Sequence, residues 1–182
     1  MKTKKQKELV ESYLSPFESG IQLLYQDIIL YLSELGYYPK KAGTSISFTN
    51  DIHGKQIAKI GTSINKNKAH TPWFSLRFSA CKGYSQRFAD IVHDAIIKVT
   101  ANNPYRLARC TTSECNSCKG ESDSHIYTSI LPNGERMTSC GAYAIKIPNI
   151  SIDDLNEIKE LIKEEHEYLV KHESKLNAFV YR

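Results

Sequence analysis

The chain has 182 residues, 41% hydrophobic and 24% charged, the size and balance of one globular domain with a real core. Lys and Arg exceed Asp and Glu by 24 to 20, a formal charge of +4 that admits acidic partners without demanding one. No run approaches the roughly 18 apolar residues a membrane span needs, and Met1-Lys2-Thr3-Lys4-Lys5 leads into no apolar signal core, so no membrane partner and a cytoplasmic location are expected.

Leu9, Val10, Tyr13 and Leu14 recur at helical spacing, so residues 4–14 read either as a short helix or as a frayed, charged tail. Ser15-Pro16-Phe17-Glu18 offers a Ser cap, a Pro at the first helical position and a Glu three residues after the Ser, which predicts a helix start there. Ile21, Leu24, Ile28, Leu32 and Leu35 line one face of that helix, and Gly36 is placed to end it in a left-handed cap. From Thr44 the period changes. Ser45 to Phe48 and Gln56 to Ile60 alternate about a turn at Asp51-Ile52-His53-Gly54, a predicted hairpin. A lysine-bearing loop, Asn65 to Lys68, precedes a strand from Trp73 to Ala80 that places Phe74, Leu76, Phe78 and Ala80 on one face and Trp73, Ser75, Arg77 and Ser79 on the other. Ser85 to Thr100 reads as a helix with Phe88, Ile91, Val92, Ala95 and Val99 buried, ended by Asn102-Asn103-Pro104.

A second hairpin is expected from Ile126 to Ser139 about Leu131-Pro132-Asn133-Gly134. A strand from Ala142 to Ile147 follows, and a last helix is capped by Ser151 with Asp153 and Asp154 in its first turn. Its apolar face is Leu155, Ile158, Leu161, Ile162 and Leu169. Strands in hairpins with uninterleaved helices predict an α+β fold: a mainly antiparallel sheet, helices on one side, and a cysteine-rich excursion. Residues 1–182 read as a single domain, with 105–147 as a metal-stapled subregion.

Five cysteines is an odd count, one isolated at Cys81 and four grouped as Cys110-x4-Cys115-x2-Cys118-x21-Cys140. Without a secretory leader such a group reads as a metal site. Gly120 and Gly141 suit the tight turns whose amides hydrogen-bond metal-bound thiolates. Four sulfur ligands would hold structural zinc with no position open for substrate. A mixed set in which His125 replaces Cys110 is a second arrangement, and an iron–sulfur cluster, a disulfide, a redox dithiol or free thiols are the others. A Cys-x-x-Cys redox centre would need a thioredoxin-type βαβ setting, whereas this motif precedes a polar loop and a hairpin.

Cys110-Thr111-Thr112-Ser113-Glu114-Cys115-Asn116-Ser117-Cys118-Lys119-Gly120 resembles the cluster loop of plant-type ferredoxins, which implies a two-iron cluster and electron transfer. The likeness covers eleven residues, and the sheet and helix that precede that loop in ferredoxins are not evident here. Clustered cysteines, then Tyr127, Gly134, Cys140-Gly141, Ile147-Pro148 and an acid-capped helix resemble a group of small uncharacterised bacterial proteins with a C-terminal cysteine cluster. That resemblance implies no activity.

His53, His70, His93, His125, His166 and His172 are scattered. His166 and His172 do not share a helix face as an i, i+4 metal pair would and are expected at the surface, as is His93. No phosphate loop, nucleophile elbow or helical His-Glu-x-x-His appears. Tyr37, Tyr38, Tyr84 and Tyr105 fall at element ends, where amphipathic rings seal a core edge. The candidate ligand surface is Trp73 and Arg77 with Lys66, Lys68 and His70, an aromatic beside cations that suits single-stranded nucleic acid or another acidic partner. The competing reading packs Trp73 under a helix and leaves the lysines in a solvated loop. A non-enzymatic binding or regulatory protein with a zinc-stapled scaffold is the expected function, with a redox or electron-transfer protein on the same cysteines as the alternative. An enzyme with its site between sheet and helix is a third reading.

Overall fold

The computed structural model describes residues 1–64, 70–102 and 126–180, and within these the side chains of 64, 99–102 and 172–180 lie outside the description. Helix α1 (Lys4–Leu14) is real and opens on a capping box: Thr3 accepts from the Gln6 amide through Oγ1 at 3.2 Å, and Gln6 accepts from the Thr3 amide at 3.2 Å. Val10 and Leu14 bury its inner face. The box expected at Ser15 does not form. Ser15 caps the C-terminal end of α1, Pro16 lies in the connection, and α2 (Ser19–Glu34) starts after Glu18, which makes no side-chain cap. Phe17 is 6% exposed, so burial of its ring holds this corner where the local capping signal does not.

The buried face of α2 carries Leu24, Tyr25, Ile28, Ile29, Leu32 and Ser33. Gly36 ends the helix at φ +84, and the buried Asn50 ties that end to the sheet. Its Nδ2 donates to the Leu35 carbonyl at 3.1 Å while its Oδ1 accepts from the Ile52 amide at 2.8 Å. Orphan backbone groups of both a helix end and a turn are thereby satisfied.

Strand β1 (Tyr37–Ala42) was not expected from the sequence; β2 (Ser45–Asn50), β3 (Gln56–Ile64) and β4 (His70–Leu76) follow in antiparallel succession, and β7 (Ile145–Ile147) joins β4. The sheet order is β1-β2-β3-β4-β7, antiparallel throughout. Helix α3 (Gln86–Asn102) and the hairpin of β5 (Ile126–Ile130) and β6 (Arg136–Cys140), a separate two-stranded sheet, lie between β4 and β7 in the chain. A 3-10 turn at Ile152–Asp154 leads into α4 (Leu155–Val180). Ser151 stands as the cap that the sequence predicted, with Asp153 and Asp154 in the 3-10 turn, where Asp154 also accepts from the Ser151 amide at 2.9 Å in a capping box.

The inward row Ile46–Ile60–Phe74–Ile147 and the row Phe48–Ala58–Leu76–Ile145 are cross-strand neighbours. They share one cluster with Leu14 of α1, Leu32 of α2, Phe88, Val92 and Ile96 of α3, and Ile158, Leu161 and Ile162 of α4. Each such fully buried side chain contributes roughly 1.5–3 kcal/mol. The α+β class and the antiparallel sheet are therefore as expected. The cysteine-rich part of the predicted excursion lies outside the described residues, and only its hairpin is described, ending at Cys140. No helix among the described residues is long and apolar enough to cross a membrane.

Candidate binding surface

Register defines the outer face of the sheet. Lys40 pairs with Ser47, Ser47 with Lys59, Lys59 with Ser75 and Ser75 with Lys146, so three lysines alternate with two serines in one straight row across five strands. Lysines on alternate strands stand about 9.5 Å apart at the backbone, twice the inter-strand spacing. The next row is Ala42–Ser45–Gly61–Trp73. A Cβ on Gly61 would fall 1.8 Å from an indole carbon of Trp73. The ring therefore lies flat over the glycine, in space no other residue would leave. Lys146 Nζ stands 5.6 Å from the indole centroid, within cation–π range. No Asp or Glu occupies these two rows. Asp51, at the margin, meets Lys2 at 3.2 Å and Lys40 at 3.8 Å.

Trp73 thus lies on the outer face, partly exposed, beside Lys146. His70 is exposed at the start of β4, opposite Ile64. Lys66 and Lys68 lie outside the described residues. Arg77 does not belong to this surface. The ladder ends at Leu76, strand alternation lapses with it, and Arg77 is 7% exposed with its Nε 2.6 Å from Oε1 of Glu165 on α4. The two atoms touch as an ion contact, not as an aligned hydrogen bond. Lys40, Lys59 and Lys146 were missed by the sequence reading. Ile145-Lys146-Ile147 and Ala58-Lys59-Ile60 each signal an outward lysine by alternation, but only pairing puts them in one row.

Beneath the sheet end most of the buried polar groups are hydrogen-bonded locally, Arg77 Nε and Glu165 Oε1 excepted. Glu165 Oε2 accepts from the Ala80 amide at 2.9 Å, and Ser79 Oγ donates to the Gly141 carbonyl at 3.0 Å. Burial pushes the Glu165 carboxyl up from its ordinary range, and Arg77 and the Ala80 amide only partly offset this. Tyr127 accepts from the Phe78 amide at 3.0 Å and donates to the Tyr143 carbonyl at 3.1 Å. The Cys81 thiol, 5% exposed, faces the Leu161 carbonyl at 3.4 Å and is pushed well up by burial and the nearby glutamates. It is a packed, inert thiol.

Neither His93 nor His166 is simply at the surface. His93 Nδ1 is 2.7 Å from Ser129 Oγ and so joins α3 to β5. The hydroxyl of Tyr37, a fully buried side chain, lies 3.3 Å from His53 Nε2 and 3.3 Å from His166 Nδ1. The Lys55 amide donates to His53 Nδ1 at 3.2 Å, which places the proton of a neutral His53 on Nε2, toward Tyr37. The Tyr37 proton then points to His166 Nδ1. Burial lowers the His166 pKa and raises that of Tyr37. The side chain of His172 lies outside the description.

Cys140 ends β6, opposite Ile126, as a partly exposed thiol that forms no disulfide among the described residues. Cys110, Cys115, Cys118 and His125 lie outside the described residues. Among the described residues no group of three or more His, Cys, Asp or Glu is placed to hold a metal.

No family model, curated protein or solved structure matches this chain. Function is therefore read from the geometry of the site itself. Among the described residues the outer sheet face brings together the lysine row and one partly exposed aromatic ring.

Proposed function

We propose that the protein is a non-enzymatic binding protein that engages an anionic partner through the outer face of its sheet. The observation that carries this reading is the Lys40–Ser47–Lys59–Ser75–Lys146 row, free of acidic side chains. The net charge of +4 supports it. Heparin, a base-free polyanion, tests it directly: the full chain should bind at low salt and release as salt rises, with a shallower salt dependence in a Lys59→Ala/Lys146→Ala double variant. Binding that ignores both salt and the double variant defeats the proposal.

The four cysteines Cys110, Cys115, Cys118 and Cys140 are proposed to hold one structural zinc. Cys140 closes β6, and residues 141–144 run straight into β7, which carries Lys146. A clasp there would fix the sheet edge that presents the last lysine of the row. Elemental analysis of protein purified without chelator should give one zinc per chain and a colourless sample. Iron with visible absorbance would move the reading to electron transfer, and absence of metal would remove the clasp.

A further inference from the structure

We infer that the anionic partner is single-stranded nucleic acid, with a base stacked on Trp73 and the phosphate chain laid along Lys146 and Lys59. This rests on the anion-binding reading of the same face and adds the ligand class. Charge complementarity comes from the lysine row, but charge alone would serve any polyanion. The Trp73 indole selects among them.

The ring is held parallel to the sheet because Gly61, directly opposite in the register, leaves the space it occupies. One ring face is spent on the glycine, and Trp73 remains partly exposed. Lys146 Nζ stands 5.6 Å from the ring centroid, and its side chain is exposed. An incoming base would take its place over the indole while the ammonium moves to the adjoining phosphate. A rigid aromatic platform with cations at its border is the arrangement by which sheet surfaces hold unpaired bases. Paired bases in a duplex cannot offer a ring face to it. A run of acidic side chains offers no planar ring to stack on the indole, and a lipid surface would call for apolar side chains to insert, where this face carries Ser45, Ser47 and Ser75. Ser45 and Ser47 donate to the Ala42 and Lys40 carbonyls at 2.7 and 3.3 Å, and Ser47 and Ser75 are buried, so contact with the ligand falls to the lysines and the indole.

Trp73 is the chain's single tryptophan, so its fluorescence reports the site without a label. The full chain is titrated at low salt with a single-stranded oligothymidylate, the matching duplex, heparin and polyglutamate. Quenching by the single strand, weaker or no quenching by the duplex, and binding of heparin without quenching are expected. In anisotropy with a labelled oligonucleotide, Trp73→Ala should weaken binding at least about fivefold, Trp73→Phe should retain most of it, and heparin affinity of both variants should match the parent, which also shows that they fold. Lys59→Ala and Lys146→Ala should each lower the salt slope by about 0.7 for the single strand. If heparin binds but the oligonucleotide neither quenches Trp73 nor depends on it, the nucleic-acid inference falls and the anion-binding function stands. Polyglutamate that binds as tightly as the oligonucleotide would assign the face to an acidic protein and overturn the inference. If no polyanion binds, both readings fall.

Discussion

Trp73 occupies the volume that a Gly61 side chain would need, so the two positions form one unit. Gly61→Ala must move the indole off the sheet, because its new Cβ would sit 1.8 Å from a ring carbon. Overpacking of this kind costs about 1–3 kcal/mol, reduced by the better strand propensity of Ala. A lower denaturation midpoint with red-shifted tryptophan emission is expected; unchanged emission would mean that the ring does not rest on the glycine. Trp73 was legible as a surface candidate because strict alternation from Trp73 to Leu76 assigns faces. Arg77 was misplaced by carrying the same rule one residue past the end of the ladder. Nothing local marks that end, since Glu165, the partner that draws Arg77 inward, lies 88 residues further along the chain.

At the scale of elements, hydrophobic periodicity was the reliable signal. The predicted stripe Leu155, Ile158, Leu161, Ile162 and Leu169 on α4 is buried throughout, and on α3 Phe88 and Val92 are fully enclosed. Capping signals competed. Ser15 and Thr3 both stand three residues before a Glu or Gln, yet only Thr3 forms the box; the chain at Ser15 is still completing the last turn of α1, with its amide bonded to the Glu11 carbonyl at 2.9 Å. Thr3→Ala should therefore cost about 1 kcal/mol and speed hydrogen exchange at the amides of Lys5, Gln6 and Lys7, whereas Ser15→Ala should leave exchange at the start of α2 unchanged. Equal effects from both would reinstate the sequence-predicted start. Strand β1 escaped notice because Tyr37-Tyr38-Pro39-Lys40-Lys41 contains a proline and two lysines, the composition of a guarded sheet edge. Its face assignment, and with it the place of Lys40 in the lysine row, becomes visible only through pairing with β2.

Across the whole molecule, α4 joins regions far apart in sequence, and its consecutive residues Glu165 and His166 impose opposite pH dependences. Burial lowers the folded pKa of His166 below its ordinary 6.5. The unfolded chain then binds the extra proton, so the stability this residue contributes is complete above 6.5 and is lost as pH falls through the folded value. Glu165 is raised above 4.5, so its contribution is present below 4.5 and is lost as pH rises through its folded value. Lowering the pH from neutrality therefore removes the contribution of His166 and restores that of Glu165. Urea midpoints measured at closely spaced pH values should show that decline beginning near 6.5. His166→Gln, whose amide oxygen can still accept from Tyr37, should remove the decline and keep the neutral-pH midpoint close to the parent. Glu165→Gln acts on the other branch: it abolishes the acid recovery but leaves the Arg77 cation buried without its counter-charge, a loss of about 3–5 kcal/mol at neutral pH. A decline that persists unchanged in His166→Gln would place the acid-sensitive group elsewhere and leave the His53–Tyr37–His166 chain as packing alone.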